Sequence, residues 1–341
     1  MANRKSASVT AIDLADFHVS ATIPVPPGPS EIAVRSPAGD SRQRNREIYI
    51  VSTSGVVSVV DFSALRITAE FNVGSSALAL NFQRDGHRAF VLAPGEGDLL
   101  ALNCDSHQVD ARLHLSPGLS GLAISSDGNT LVAANGERQE LYFVNAGDLK
   151  LRGELNIGAQ PVGMGIVPGG SKIYFGNAGE RKITAVDVSR QVLLARLEAN
   201  AIPSTLIFKP DGGEIFVLSG QGSNLTIVDA FHDEIEQSPF TTGPNPTAAI
   251  LRGDASVLYI ATADDGNIMA LDAPDRQPMA YIHIGIRPSA LALTPDERFL
   301  LVADSGSSSL AVVRTDRNTL VTTIPVGEAP VSVVVPPWER R

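Results

Sequence analysis

A repeat with a period of 42 residues runs through the chain and restricts what it can fold into. Its marker is a short apolar run that ends, in most copies, in an acidic or amide residue. The markers are Asp13, Asp61, Asn103, Asn145, Asp187, Asp229, Asp272 and Arg314. Successive markers are 42 or 43 residues apart, except for a first interval of 48. That longer interval contains the polar residues 40–46, which predict a loop insertion.

Two other signals keep the same period. A proline stands before a small, alternating segment in the copies at Pro29, Pro161, Pro203, Pro246, Pro288 and Pro330. Turn pairs such as Asp127-Gly128 and Asp211-Gly212 follow that segment. Each period then contains short apolar segments separated by turn residues, which predicts four β-strands. An array of separate β-sandwich domains is the alternative, but one period is too short to bury a sandwich core.

Four short strands in a period of this length are typical of a β-propeller blade. We therefore predict an all-β fold in which residues 1–341 form a single β-propeller domain. Counting markers favours eight blades, with one blade closed by strands from both chain ends, residues 1–28 and 331–341. A seven-bladed ring with extra strands on its rim is the alternative.

The alignment of the two chain ends leaves a gap in the closing blade. The matching stretches are 331–341 with 289–299, and 1–13 with 302–314. Only the counterparts of Leu300 and Leu301 are missing, and these lie in the middle of a second strand. A ring cut inside a strand leaves backbone hydrogen bonds unmade at an edge. We therefore expect an upstream piece before Met1 to carry the rest of the strand; an eighth blade of three strands is the alternative.

The clearest copy, residues 294–330, reads TPDERFLLVADSGSSSLAVVRTDRNTLVTTIPVGEAP, and weaker copies lie at 209–229 and 169–187. The pattern resembles the YVTN family of β-propellers over essentially the whole chain. The resemblance implies a location outside the cytoplasm, in the periplasm or at the cell surface, although no signal peptide is visible and a cytoplasmic location stays open. Related propellers include lactonases and domains that carry a d1-type haem, and a fold shared so widely does not define one function.

Charge and cysteine content exclude several classes of function. The chain has 27 Lys and Arg against 37 Asp and Glu, a net charge of −10. This balance provides no overall basic surface for phosphate backbones, so we expect no nucleic-acid partner. Cys104 is the only cysteine, which excludes an intrachain disulfide and a multi-cysteine zinc site. No apolar run approaches the length of a membrane helix, and we expect no transmembrane segment.

The ends of the second strands supply the candidate binding residues. In propellers the loop after this strand lies on the same face as the connection between blades, around the mouth of the central channel. The candidate ligand-binding residues on this channel face are Asn135, Asn177, Arg181, Ser219, Thr262, Arg287, Asp304 and Glu328. Such a ring of amide, hydroxyl and charged groups suits a polar small molecule or a peptide. The alternative is that these residues only cap strand ends and solvate the face.

Three functions remain open. The first is a non-enzymatic binding or scaffold protein whose channel face meets a protein, a cell-envelope component or a small ligand. The second is a lactonase-type hydrolase. Its acid, base or metal-binding residues would come from Glu180, Arg181, Arg287, Asp304 and Glu328. The third is a redox propeller with a bound cofactor, against which stands the expectation that no histidine falls in an innermost strand. We predict no catalytic residues, no metal and no cofactor.

Other reactive residues have a structural interpretation. The marker carboxylates are expected to accept backbone N–H groups of the following turn. His114 and His283 are expected on outermost strands, because both stand eleven residues after a marker. The acidic neighbour of Cys104 is expected to raise the pKa of its thiol. Asp264 and Asp265 are interpreted as turn residues, with a weak cation site as the alternative.

Overall fold

The repeat folds as strands throughout the part of the chain that the structure describes. The structure is a computed structural model that describes residues 1–35, 47–236 and 240–336. The predicted insertion at 40–46 lies outside these residues. No helix in the described ranges is long and apolar enough to cross a membrane. The prediction of one domain over 1–341 also covers residues outside the described ranges and stays a prediction.

The strands are numbered in chain order, and blades one to seven are counted from Pro29. The chain begins with β1 (Ala2–Asn3), β2 (Ser8–Asp13) and β3 (His18–Pro24). Blades one and two contain β4 (Pro29–Val34), β5 (Glu47–Ser52), β6 (Val56–Asp61), β7 (Arg66–Asn72), β8 (Leu78–Phe82), β9 (Arg88–Ala93), β10 (Asp98–Asn103) and β11 (Gln108–His114). Blades three and four contain β12 (Leu119–Ile124), β13 (Thr130–Asn135), β14 (Glu140–Asn145), β15 (Leu151–Asn156), β16 (Pro161–Ile166), β17 (Lys172–Asn177), β18 (Lys182–Asp187) and β19 (Val192–Glu198).

Blade five departs from the pattern because its fourth strand is described in two pieces. Blade five contains β20 (Thr205–Phe208), β21 (Glu214–Leu218), β22 (Asn224–Asp229), β23 (Glu234–Ile235) and β24 (Phe240–Thr241). Blades six and seven contain β25 (Pro246–Leu251), β26 (Val257–Thr262), β27 (Asn267–Asp272), β28 (Gln277–His283), β29 (Pro288–Leu293), β30 (Phe299–Asp304), β31 (Ser309–Arg314) and β32 (Thr319–Pro325). The final strand is β33 (Pro330–Ser332).

The two chain ends meet in the closing blade, as predicted. Its strand order is β3-β2-β1-β33, so a strand from the N-terminal end lies between β2 and the C-terminal strand. Ala2 is paired with Val9 on one side and with Ser332 on the other. First strands of neighbouring blades contact one another all the way round, and β33 contacts both β29 and β4. The molecule is therefore an eight-bladed β-propeller, and the seven-bladed alternative is wrong.

Apolar packing between blades holds the ring together. The described residues form eight hydrophobic clusters, and each cluster joins two neighbouring blades. Second and third strands supply most of these side chains because both of their faces are covered, whereas fourth strands alternate between exposed and half-buried residues. Tyr49, Tyr174 and Tyr259 are fully buried in three different interfaces. A blade cannot bury its own faces, so its stability depends on its neighbours.

The marker residues close the turn between third and fourth strands. Asp61 Oδ1 accepts hydrogen bonds from the backbone N–H groups of Ser63 and Ala64, both at 2.8 Å. Asp187 and Asn145 make the same pair of bonds in their own blades. The structural interpretation of the marker carboxylates is confirmed. These turns define the face of the ring opposite to the channel face.

Candidate functional site

The channel face is built from two kinds of loop that are hydrogen-bonded to each other. One loop follows each second strand, and the other connects one blade to the next. The backbone N–H of Ala178 donates to Gln160 O at 2.8 Å, and that of Ala263 donates to Asn245 O at 2.9 Å. Because both of these bonds join a second-strand loop to the preceding blade connection, the two kinds of loop lie side by side on one face.

The predicted residues at strand ends are buried beneath these loops. The exposed fraction is 0% for Asn135, Asn177 and Asp304, 1% for Thr262 and 4% for Ser219. Their polar atoms are therefore in contact with other protein groups and are poorly accessible to a ligand that arrives from solvent. They provide the floor of the face.

Asn135 shows what most of these side chains do. Its Oδ1 accepts from the backbone N–H groups of Glu137 at 3.1 Å and Arg138 at 2.9 Å. Its Nδ2 donates to Pro117 O at 2.8 Å. One amide thus ties the loop after β13 to the connection that precedes blade three, and the donors and acceptors it satisfies would be costly to leave unpaired.

Asp304 and Thr262 act in the same way in neighbouring blades. Asp304 Oδ2 accepts from the backbone N–H of Ile286 at 2.8 Å, which links blade seven to the connection before it. Thr262 Oγ1 donates to Asn267 O at 3.1 Å, across its own loop. Asn177 differs, because its Oδ1 accepts from Thr184 Oγ1 of the next strand at 2.8 Å. Capping and ligand binding are both compatible with these residue types, and the observed bonds are capping bonds.

The predicted charged residues are the exposed part of the site. Arg181, Arg287 and Glu328 are all exposed. They follow β17, precede β29 and precede β33, so they lie over different blades around the channel mouth. Arg287 has a φ of +61°, and its carbonyl accepts from Ser305 N–H at 3.2 Å and Ser305 Oγ at 2.8 Å. This fixed backbone orients an exposed guanidinium on the channel face.

A recess opens on this face between blades five and six. Its volume is about 360 Å³, and its walls are residues 220–223, Pro244, Asn245 and Asp264. Asn245 Nδ2 donates to Asp264 Oδ1 at 3.0 Å across the recess. Ser219 Oγ is buried and has no hydrogen-bond partner among the described residues. A Cβ added to Gly222 would lie 3.1 Å from that oxygen, so the hydroxyl lies directly under the glycine-containing loop.

This recess could not be predicted from the repeat pattern. The loop 220–223 contains two glycines, but so does the corresponding loop 94–97 of blade two, so no signal in the sequence singles it out. Asp264 was interpreted as a turn residue, and in the structure it is exposed. The Asp265 carboxylate accepts from Asn267 Nδ2 at 3.0 Å, as the turn interpretation expects.

Glu31 is a second residue that the sequence analysis missed. The other seven blades carry small residues at this position of the first strand, where the inner strands crowd around the channel: Ala79, Gly121, Gly163, Thr205, Ala248, Ala290 and Ser332. Glu31 Oε2 accepts the backbone N–H of Leu80 in the next blade at 3.3 Å, and Ser332 Oγ accepts that of Ile32 at 3.2 Å. Burial raises the pKa of the Glu31 carboxyl above its ordinary value. Comparison of the blades with one another would have found it.

The groups suggested for a hydrolase do not form one cluster. Glu180 and Arg181 belong to blade four, whereas Arg287, Asp304 and Glu328 belong to blade seven and the connections on either side of it. Among the described residues, the one group of three side chains close enough to share a metal ion is Asp13, Asp16 and His18. All three are exposed, and Asp13 is a marker residue on the opposite face.

The histidines and the cysteine also lie away from the channel. His114 and His283 end the fourth strands β11 and β28, as predicted. None of the first strands described contains a histidine. Cys104 is fully buried between blades one and two, and burial raises the pKa of its thiol to about 11. Asp105 adds to this shift, as predicted, but burial is its main cause.

Comparison with known proteins identifies the fold. No protein-family model and no curated protein sequence matches the chain. A dihydro-haem d1 dehydrogenase, NirN, in complex with DHE has a similar structure: the TM-score is 0.79 at 14% identity, over 96% of this chain and 72% of that chain.

Two further solved structures are similar over most of their length. A functionally unknown protein from Desulfotomaculum acetoxidans matches with a TM-score of 0.67 and 16% identity, over 84% of this chain and 97% of that chain. The β-propeller domain of Cps50 (Swd1) from Myceliophteria thermophila matches with a TM-score of 0.60 and 15% identity, over 75% of this chain and 89% of that chain. At such low identity these similarities establish the β-propeller and no particular activity.

Proposed function

We propose that this protein is a binding propeller that holds a small polar molecule, or a polar segment of a protein or cell-envelope component, on its channel face. The recess between blades five and six carries the proposal. Its walls present an amide and a carboxylate, Asn245 and Asp264. The hydroxyl of Ser219, unpartnered among the described residues, is buried directly beneath the loop 220–223 that forms the rest of the wall. Concave sites with a few converging polar groups are the usual form of a ligand site.

Binding fits the channel face better than catalysis does. The strand-end residues Asn135 and Asp304 are buried and engaged in holding loops. The exposed Arg181, Arg287 and Glu328 surround the channel mouth at separate positions, where they would contact a ligand or partner that extends beyond the recess. A rigid surface surrounded by exposed charged residues favours binding of a ligand or partner over catalysis.

The YVTN resemblance supports the same class of function and a location outside the cytoplasm. The copy at 294–330 carries the family pattern, and it contains the second, third and fourth strands of blade seven. The fold alone is compatible with either side of a membrane, so the location rests on that resemblance.

Charge reversal in the recess and elsewhere on the channel face tests the proposal. The protein is incubated with a small-molecule extract of its own cells, and native mass spectrometry measures the fraction that carries an adduct. We expect Asp264→Lys and Arg287→Glu to reduce the apparent affinity for that adduct at least about tenfold, because each removes a contact and adds repulsion. The control, Lys150→Glu, changes an exposed residue on the opposite face and leaves binding unchanged.

Two results would contradict the proposal. One is an adduct that both channel-face variants bind as tightly as the unmodified protein. The other is a loss of binding that is as large in Lys150→Glu, since that would point to a general effect of charge rather than to the recess.

A further inference from the structure

Glu31 is the one charged residue in the first strands that the structure describes. These innermost strands of the blades are β4, β8, β12, β16, β20, β25, β29 and β33. At the position of Glu31, the other seven blades carry residues no larger than threonine. Seven blades thus form without a charge at this position, so the propeller fold itself does not require the carboxylate.

Glu31 lies just inside the mouth of the central channel. Pro29 is paired with Ser52, the last residue of β5, and Glu31 is paired with Val51, the residue before it. Because second strands end at the channel face, Glu31 is one pair of residues below that face. A small molecule that enters the channel from this face therefore reaches Glu31 before the deeper part of the channel.

The carboxylate lies at the inner edge of the next blade. Its Oε2 accepts the backbone N–H of Leu80 in β8 at 3.3 Å. Since β8 pairs with β9 on one side only, this N–H belongs to the free edge of β8, which faces the channel. Glu31 Oε1 has no hydrogen-bond partner among the described residues, and the side chain is half-buried. This second oxygen is therefore accessible from the channel.

The Glu31 carboxylate has no counter-charge within the described ranges. No Lys, Arg or His side chain there forms an ion pair with it, and the N–H of Leu80 is the one group that favours its ionised form. Burial raises the pKa of the Glu31 carboxyl above its ordinary value. An ionised carboxylate that has lost part of its water is stabilised when a cation pairs with it, and a cationic ligand would provide that pairing.

Backbone carbonyls at the inner edge provide further acceptors. Leu122 O accepts from Asn81 Nδ2 at 3.2 Å, across the boundary between blades two and three. Leu122 and Leu80 occupy equivalent positions in neighbouring first strands, so the backbone groups at this position lie on the channel side of the sheet. The same position is occupied in other blades by Leu206, Ala249 and Leu291.

We propose that the channel mouth at Glu31 binds a small molecule that carries a primary ammonium group. Such a group has one positive charge and three N–H donors, which match one carboxylate together with uncharged carbonyl acceptors. Calcium is a poorer match, because it takes about six to eight oxygen ligands and its affinity depends on the number of charged ones. Glu31 is the one carboxylate on the described first strands.

This site is separate from the one in the proposed function. Glu31 belongs to blade one, whereas the recess with Asn245 and Asp264 lies between blades five and six, across the eight-bladed ring. None of the residues that line the recess takes part in the Glu31 site. Failure of either proposal therefore leaves the other standing.

Isothermal titration calorimetry with n-butylammonium chloride tests the proposal on the complete protein. A mildly alkaline buffer keeps Glu31 ionised while the amine stays protonated. The control ligand 1-butanol has the same alkyl chain without the charge, so it measures apolar binding alone. We expect saturable binding of n-butylammonium at millimolar concentrations and none of 1-butanol.

Three variants separate the charge of Glu31 from its structural role. Glu31→Gln removes the charge but keeps an oxygen that can accept the N–H of Leu80. We expect it to weaken n-butylammonium binding at least about tenfold, because charge-assisted hydrogen bonds are lost. Glu31→Asp keeps the charge and is expected to bind more tightly than Glu31→Gln. The matched control Glu154→Gln makes the same change at an exposed position of β15 and leaves binding unchanged.

Several outcomes would overturn the proposal. They are no saturable binding of n-butylammonium, equal binding of 1-butanol, and equal affinities of the two glutamine variants. Tighter binding by Glu31→Gln than by Glu31→Asp would overturn it as well. Calcium chloride that binds at Glu31 more tightly than n-butylammonium would assign the site to a metal ion instead. Thermal unfolding of each variant by circular dichroism verifies that it is folded at the temperature of the titration.

Discussion

Replacement of Ala2 by arginine is expected to destabilise the ring by about 4 kcal/mol or more, because it buries an unpaired charge. Ala2 is fully buried, and it packs in the cluster between the closing blade and blade one with Val9, Ile32 and Ile50. It also lies between β2 and β33 in the sheet. Loss of this contact opens the ring at the one place where the chain is not continuous.

Denaturant unfolding followed by far-ultraviolet circular dichroism measures the free energy of unfolding of the variant. The matched control is Ala64→Arg, in an exposed turn of blade one, for which a change within about 0.5 kcal/mol is expected. Equal stability of the two variants would show that β1 does not close the ring.

Replacement of Arg35 by alanine is expected to lower the free energy of unfolding by about 3 kcal/mol. It breaks an ion pair in which the guanidinium is buried, and it leaves the hydrogen-bond partners of that group unpaired. The side chain is 7% exposed and joins blade one to blade two. Its Nη1 donates to Glu47 Oε2 at 2.9 Å and to Cys104 O at 2.8 Å. Its Nε donates to Gly86 O at 2.7 Å, and Nη2 bonds to Asp105.

Two variants separate the causes of that loss. Arg35→Lys keeps the charge but loses the planar set of donors, so an intermediate loss is expected. Arg152→Ala removes an exposed arginine and is expected to change stability by no more than about 0.5 kcal/mol. If Arg35→Ala were as stable as Arg152→Ala, the carbonyls of Gly86 and Cys104 would not depend on this side chain.

The architecture could be predicted from the sequence because each signal in it is local and repeated. The marker Asp61 bonds to residues two and three positions away, and the same short pattern recurs around the ring. Even the closure could be predicted, because both chain ends match parts of blade seven. The ion pair between the buried Arg35 and the exposed Asp105 could not, since its members are 70 residues apart and neither stands out in its own segment.

The candidate site was predicted only in part. Arg181, Arg287 and Glu328 are exposed in the loops where the repeat pattern located them, and their role in ligand binding stays a prediction. A polar residue at a strand end, however, has the same sequence signature whether it caps a loop or meets a ligand. The observed bonds of Asn135 and Asp304 are capping bonds, and a role of these residues in ligand binding stays a prediction. The recess beside Ser219 depends on how two blades lie next to each other, which no single repeat contains.

An engineered cross-link between the two chain ends tests the central claim most directly, since the eight-bladed ring is closed by the pairing of β1 with β33. Ala2 and Ser332 are direct neighbours in that pairing, and facing residues of antiparallel strands are close enough for a disulfide. The double variant Ala2→Cys, Ser332→Cys is oxidised in its folded state, and non-reducing electrophoresis with mass spectrometry detects the bond. The two single variants serve as controls, because Cys104 is buried.

The closed ring predicts nearly complete formation of one intrachain disulfide between positions 2 and 332 in the double variant, and none in either single variant. Two free thiols in the folded double variant, or bonds formed only between molecules, would contradict the closed eight-bladed ring.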